Sequence, residues 1–115
     1  PRDIVAGCNL AATLLSTGHA EESLRILQAL PTSALARPQL AFSIHFNMAC
    51  AFSLLHRVDE GIDSLARAAQ TDPAATGASI GDPQLDGLRQ DSRFESLSKS
   101  LDAYLKRATD PAPRR

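Results

Sequence analysis

Aromatic residues are scarce in this chain. Of its 115 residues, four are Phe, one is Tyr and none is Trp, so aromatics make up 4% of a sequence that is dominated by Ala and Leu. A β-sandwich would need Val, Thr and aromatic residues in alternation, whereas small aliphatic residues suit closely packed helices. The composition therefore predicts an all-α fold and argues against a sheet protein.

Neither sign of charge prevails in the sequence. Twelve Lys and Arg residues face 13 Asp and Glu residues, which gives a net charge of −1. The basic residues near the C-terminus are interrupted by Asp102 and Asp110. Without a basic excess there is little to hold a phosphate backbone, so we expect no nucleic-acid partner. No apolar run approaches the roughly 20 residues that span a bilayer, so we expect no direct insertion into a membrane.

Residues that carry chemistry are also few. Cys8 and Cys50 are the only cysteines, too few for a disulfide framework or a four-thiolate zinc site. We interpret them as buried thiols and expect an intracellular, reducing compartment, either cytoplasm or organelle stroma. The three histidines do not stand at metal-ligand spacings. We therefore expect no metal and no other cofactor.

The sequence carries no recognisable catalytic motif. There is no nucleophile elbow, and no Gly-rich phosphate loop with the required Lys. The carboxylates Asp59, Glu60 and Asp63 fall at the start of a predicted helix, where compensation of the helix dipole explains them. We expect that the protein is not an enzyme.

Apolar residues recur at helical spacing along most of the chain. The pattern predicts helices over residues 4–15, 20–30, 40–55, 58–70, 83–89 and 92–108, a linker over 74–81 and a flexible tail over 109–115. The third helix is apolar on almost all sides, so we expect it to lie between neighbours. The sequence begins at Pro1 without a Met, and we expect it to be part of a longer chain.

An internal repeat relates the first pair of predicted helices to the second. An offset of 38 residues places Asn9 on Asn47 and Glu22 on Glu60. Small residues then coincide at positions where two helices would approach closely, with large apolar residues beside them. Self-similarity of this kind indicates an array of stacked helix pairs.

The repeat resembles a tetratricopeptide repeat. Residues 47–73, NMACAFSLLHRVDEGIDSLARAAQTDP, have the family's opening asparagine, mid-helix aromatic, acidic pair, small residue and closing proline. Residues 9–30, NLAATLLSTGHAEESLRILQAL, are similar and keep the glycine between the helices at Gly18. His56 stands at that position in the second copy, where positive φ is costly for a non-glycine residue.

A second resemblance lies after the repeats. The segment GDPQLDGLRQDSRFESL is similar to the ending that follows the last repeat in many members of the family. Together the resemblances imply antiparallel helix pairs in a fragment of a right-handed superhelix, closed by capping helices. The implied organisation is one domain over 1–108, with repeat one at about 4–37, repeat two at about 42–73 and capping helices at about 82–108, which would cover the fourth helix.

The family resemblance implies a function in protein–protein interaction. First helices of such repeats line a concave groove that takes a peptide, so we expect a scaffold or assembly factor with a protein or peptide partner. The implied groove candidates are Val5, Cys8, Ala12, Leu15, Ser16, Ser43, Phe46, Asn47, Cys50, Ser53 and Leu54. This set is uncharged, which favours an apolar partner. The alternatives are a structural dimerisation or docking domain of a larger protein, with a homo-oligomer as the result, and an accessory domain of an enzyme.

Overall fold

The computed structural model describes residues 2–109, and within them the backbone forms helices and no strand. The α-helices are α1 (Arg2–Ser16), α2 (Ala20–Ala29), α3 (Pro38–Leu54), α4 (Val58–Thr71), α5 (Pro73–Ser79) and α6 (Ser92–Thr109). A first 3₁₀ helix (Thr32–Ala36) follows α2, and a second 3₁₀ helix (Pro83–Leu88) follows α5. The predicted all-α fold class is confirmed for this part of the chain.

The first four α-helices form two hairpins whose turns have the same geometry. Gly18 has a φ of 84° in the first turn, and His56 has a φ of 60° at the corresponding place in the second. The N–H of the next residue then donates to a carbonyl in the last turn of the preceding helix, over 2.7 Å in the first hairpin and 2.8 Å in the second. This is the Schellman arrangement, which ends a helix on a left-handed residue. His56 thus adopts the conformation that suits glycine.

Helix α3 lies at the centre of the molecule. It contacts α1, α2, α4 and both 3₁₀ helices. Ala49 and Ala51 have no exposed surface, and the exposed fractions of Cys50 and Phe52 are 1% and 4%. Consecutive residues of a helix point in different directions, so burial of all these residues means that neighbours surround the helix. The prediction of a helix between neighbours is confirmed.

The core divides into a larger and a smaller cluster. The larger cluster joins the end of α1, the first half of α2, α3, α4, the second 3₁₀ helix and Phe94 of α6. The smaller cluster joins Ile4, Cys8 and Ala11 of α1 to Leu27, Ala34 and Ile44. Met48 packs against both clusters, so α3 connects them.

The prediction of a linker over residues 74–81 is wrong, because α5 occupies most of it. Asp72 caps this helix by accepting a hydrogen bond of 3.0 Å from the N–H of Ala75. Pro73 occupies the first turn, where the missing N–H of proline leaves no hydrogen bond unmade. The Asp-Pro pair therefore ends α4 and begins another helix.

The helices after α4 are arranged differently from the predicted cap. The second 3₁₀ helix packs mainly on α3 and α6 packs mainly on α5, while both make smaller contacts with α4. At Gly77 of α5 a Cβ atom would lie only 2.7 Å from a methyl carbon of Leu105, so glycine permits the close approach of α6. Helix α6 extends through Thr109. Thr109 is thus helical, in contrast to the prediction that assigned it to the tail, and the other predicted tail residues, 110–115, lie outside the described part.

Candidate functional site

The groove candidates fall into accessible and buried residues. The accessible ones are the exposed Val5, Ala12, Ser16 and Leu54 and the half-buried Ser43 and Asn47. The buried ones are Cys8, Leu15, Phe46, Cys50 and Ser53. The residues in the second set were expected to face an open groove and instead belong to the core or lie beneath another segment. A binding role for the first set stays a prediction.

The second 3₁₀ helix is the segment that covers the end of α3. The N–H of Gly87 donates to the hydroxyl oxygen of Ser53 over 2.9 Å. A Cβ atom at Gly87 would overlap the carbonyl oxygen of Ser53, so only glycine allows this approach. Leu85 and Leu88 have no exposed surface and belong to the larger core cluster. The chain itself thus fills part of the surface that sequence reasoning assigned to a partner.

Arg89 fixes the conformation of this covering segment. Its terminal nitrogens donate to the carbonyl oxygens of Ile80 at 3.0 Å and Asp82 at 2.7 Å, and Nε donates to Asp86 at 2.6 Å. Its guanidinium carbon also lies 5.1 Å from the centre of the Phe94 ring. A planar guanidinium supplies several donors in fixed directions, which suits a turn with several carbonyl groups to satisfy. The segment is therefore part of the folded core.

The two cysteines are buried in different core clusters. Cys8 belongs to the smaller core cluster and Cys50 to the larger, and both are free thiols. Burial raises the pKa of the Cys8 thiol, and burial together with the charge of Asp82 raises the pKa of Cys50 to about 12. The thiolate is the reactive and metal-binding form, so these environments disfavour both activities. Among residues 2–109, no group of three or more His, Cys, Asp or Glu side chains is placed to hold a metal ion.

A cleft with an apolar floor opens elsewhere, between α2, α3, α4 and the first 3₁₀ helix. Its volume is about 590 Å³, within the range typical of ligand pockets. Its apolar lining consists of Leu27, Leu30, Pro31, Leu35, Ile44, Met48 and Phe52. None of these residues was a groove candidate. The available signal was an apolar residue, Leu35, in the connection between α2 and α3.

His45 supplies a polar group at this cleft. It lies on α3, is half-buried and lines the cleft beside Ile44. Burial lowers its pKa, and the charge of Arg67 lowers it further, against an opposing effect of Asp63. The imidazole is therefore mainly neutral at neutral pH, with one nitrogen able to donate a hydrogen bond and the other able to accept one.

Charged side chains of α4 form one rim of the cleft. Glu60 accepts two hydrogen bonds from Arg57, at 2.8 and 2.6 Å, and Asp63 accepts one from Arg67 at 3.0 Å. These pairs are exposed to solvent, and exposed pairs contribute only about 0–1 kcal/mol to stability. Their effect here is to hold the carboxylates in place along the rim.

Comparison of the chain with protein-family models, with curated proteins and with solved structures gave no match. A bilayer-spanning helix, which must be both long and apolar, is not found in the described part of the chain. Two surfaces are therefore candidates for binding: the cleft, and the inner face of α1 and α3, which is the surface formed by the accessible groove candidates Val5, Ala12, Ser16, Ser43, Asn47 and Leu54.

Proposed function

We propose that this protein is a tetratricopeptide-type module that binds a segment of a partner protein, as a scaffold or assembly factor, and that the cleft is its binding surface. The repeat assignment is supported by two helix hairpins whose turns adopt the same left-handed conformation 38 residues apart, at Gly18 and His56. The observation that carries the choice of surface is the open, apolar-floored volume of about 590 Å³ between α2, α3 and α4.

The shape of the cleft suits insertion of side chains from a partner. Leu35 stands at its edge with 42% of its surface exposed, and Met48 is partly buried in its floor. Full burial of such a side chain favours association by about 1.5–3 kcal/mol, and these two begin partly buried, so each would contribute less. Helical-repeat surfaces of this kind bind without catalytic chemistry.

The inner face of α1 and α3 is the competing surface. Val5 and Leu54 keep 45% and 41% of their surface exposed there, and Asn47 is half-buried. The nearby second 3₁₀ helix fills the adjoining part of this face, leaving separated apolar side chains. The cleft therefore offers the more continuous apolar contact.

The test compares two leucines of equal exposure. Immobilised wild-type protein, Leu35→Glu and Leu54→Glu are incubated with native extract, and captured proteins are identified by mass spectrometry. Since the exposed fractions are 42% and 41%, both changes should leave the helical circular-dichroism spectrum unchanged. We expect Leu35→Glu to lose proteins that Leu54→Glu retains. Loss with Leu54→Glu alone would assign binding to the inner face and contradict the cleft.

A further inference from the structure

We propose that protonation of His45 weakens binding in the cleft, so that the partner segment is held at neutral pH and released under mildly acidic conditions. This inference rests on the proposed function and adds its regulation. It follows from the place of His45 in the lining of the cleft, from the pairing of the charges around it and from the apolar residues beside it.

The imidazole of His45 lies where an occupant of the cleft would cover it. His45 is half-buried on α3, and it lines the cleft together with Ile44 and Met48 of the same helix. Within residues 2–109, the one histidine side chain that takes part in a hydrogen bond is that of His19. No unpaired side-chain nitrogen or oxygen in this part of the chain is completely buried, so the ring nitrogens of His45 reach solvent. An apolar side chain bound in the cleft would displace this solvent.

The two charges that act on the imidazole are paired with each other. Arg67 and Asp63 of α4 line the cleft and form an ion pair at 3.0 Å. Burial has the largest effect on the pKa of His45 and lowers it, the charge of Arg67 lowers it further, and the charge of Asp63 raises it by less. Within residues 2–109, no charge outside α4 contributes to this balance. The ion pair therefore gives an imidazolium no net stabilisation.

The remaining carboxylates of the cleft are also paired. Asp59 binds Arg93, and Glu60 binds Arg57, in each case over 2.6 Å. Among the described residues that line the cleft, α2, α3 and the first 3₁₀ helix contribute no titratable side chain besides His45. An imidazolium formed beneath an occupant would thus find no unpaired carboxylate in the lining. Protonation would place a charge against an apolar group without compensation, which is unfavourable.

Occupation of the cleft and protonation of His45 therefore oppose each other. An apolar occupant displaces water from the imidazole, and this desolvation disfavours the charged form more than the neutral form. The affinity is complete at pH values above the pKa of His45, which lies below 6.5, and it falls as the pH decreases through that pKa. Because a single proton is involved, the affinity changes by at most about tenfold per pH unit.

The test is a titration with N-phenyl-1-naphthylamine, a neutral probe whose fluorescence rises in apolar sites, over the range from about pH 5 to about pH 8 in which histidine titrates. We expect its affinity for the wild type to be constant above about pH 7 and to be about 3- to 10-fold weaker at about pH 5. His45→Gln should bind the probe with the same affinity throughout, because glutamine does not titrate. In NMR spectra of the wild type, saturation with the probe should lower the pKa of His45, since the coupling between the two events is reciprocal.

The matched control is His19→Gln. His19 is exposed and does not line the cleft, so this variant should keep the pH dependence of the wild type. Binding of the probe in the cleft is verified with Leu35→Glu, which should weaken it at every pH, whereas Leu54→Glu should not.

Three results would overturn the inference: an affinity that does not change with pH, the same pH dependence in His45→Gln as in the wild type, or a probe that is insensitive to Leu35→Glu. If captured partners nevertheless depend on Leu35, the proposed function stands without the regulation by His45. Capture that is indifferent to Leu35 contradicts the proposed function itself.

Discussion

At the scale of single residues, the two hairpin turns give a direct measure of backbone strain. His56 has a φ of 60°, which is costly for a residue with a Cβ atom, whereas Gly18 adopts 84° at the equivalent position without that cost. We expect His56→Gly to raise the free energy of unfolding by about 0.5–1 kcal/mol and Gly18→Ala to lower it by about 1–2 kcal/mol. Urea unfolding measures both.

The matched control at this position is His56→Ala. Alanine keeps the strained backbone and removes only the exposed imidazole, so its stability should equal that of the wild type. No atom lies within 4 Å of a Cβ atom built at Gly18, so the cost of Gly18→Ala comes from the backbone alone. A loss of stability in both His56 variants would show that the imidazole stabilises the turn, and the strain argument would fail.

At the scale of elements, docking of the second 3₁₀ helix onto α3 depends on one glycine. A Cβ atom at Gly87 overlaps the backbone of Ser53, which cannot move without displacing the central helix. We expect Gly87→Ala to reduce the free energy of unfolding by about 1–3 kcal/mol, as overpacking typically does. Cys50 lies in the same core cluster as Leu88, so its thiol should also react faster with iodoacetamide in Gly87→Ala than in the wild type.

Two internal references make this measurement specific. Gly81→Ala is the matched control, because a Cβ atom there would meet nothing within 4 Å and stability should not fall. Cys8 lies in the other core cluster, so its reactivity should not change with Gly87. Faster labelling of both thiols would indicate general unfolding, and an unchanged rate at Cys50 would contradict coverage of α3 by this segment.

Some helices can be predicted from the periodicity of apolar residues, and others cannot. Helices α1 to α4 follow from apolar spacing, and the glycine-like turn at His56 follows from the repeat. Helix α5 was missed because the Asp72-Pro73 pair signals both the end of one helix and the start of the next, and because its small residues form no apolar stripe. Its packing depends on Gly77 against α6, a contact that local sequence does not encode.

The candidate site was harder to predict than the helices. Cys50 and Ser53 occupy positions that the resemblance assigns to the groove, but the second 3₁₀ helix covers this end of α3. It is held there by the hydrogen bond from Gly87 to Ser53, two residues that are 34 apart in the chain. The cleft is lined by residues of α2, α3 and α4. From the sequence of one helix alone, apolar residues such as Ile44 and Phe52 would be predicted to lie in the core. Whether they close over one another or leave a cleft depends on how the three helices pack.

At the scale of the whole molecule, shape and surface bear on whether the chain binds a different protein or itself. The molecule measures 52 × 35 × 20 Å, and its radius of gyration of 14.8 Å exceeds the roughly 13 Å of a compact domain of this length. A thickness of 20 Å admits about two layers of helices. A large share of the helix surface therefore faces solvent, where it can meet a partner.

The alternative to binding a different protein is self-association of this chain. Among the described residues, the large exposed apolar side chains are Val5, Leu10, Leu35, Leu54 and Tyr104. They are distributed over α1, the first 3₁₀ helix, α3 and α6, whereas a stable dimer buries about 800 Å² per partner around a continuous apolar centre. We expect sedimentation velocity to show a monomer at all micromolar concentrations, unchanged by Leu35→Glu or Leu54→Glu. If a concentration-dependent dimer forms and either substitution abolishes it, the substituted surface is instead the interface between two copies. The reason is that a glutamate carboxylate buried there without a partner opposes association.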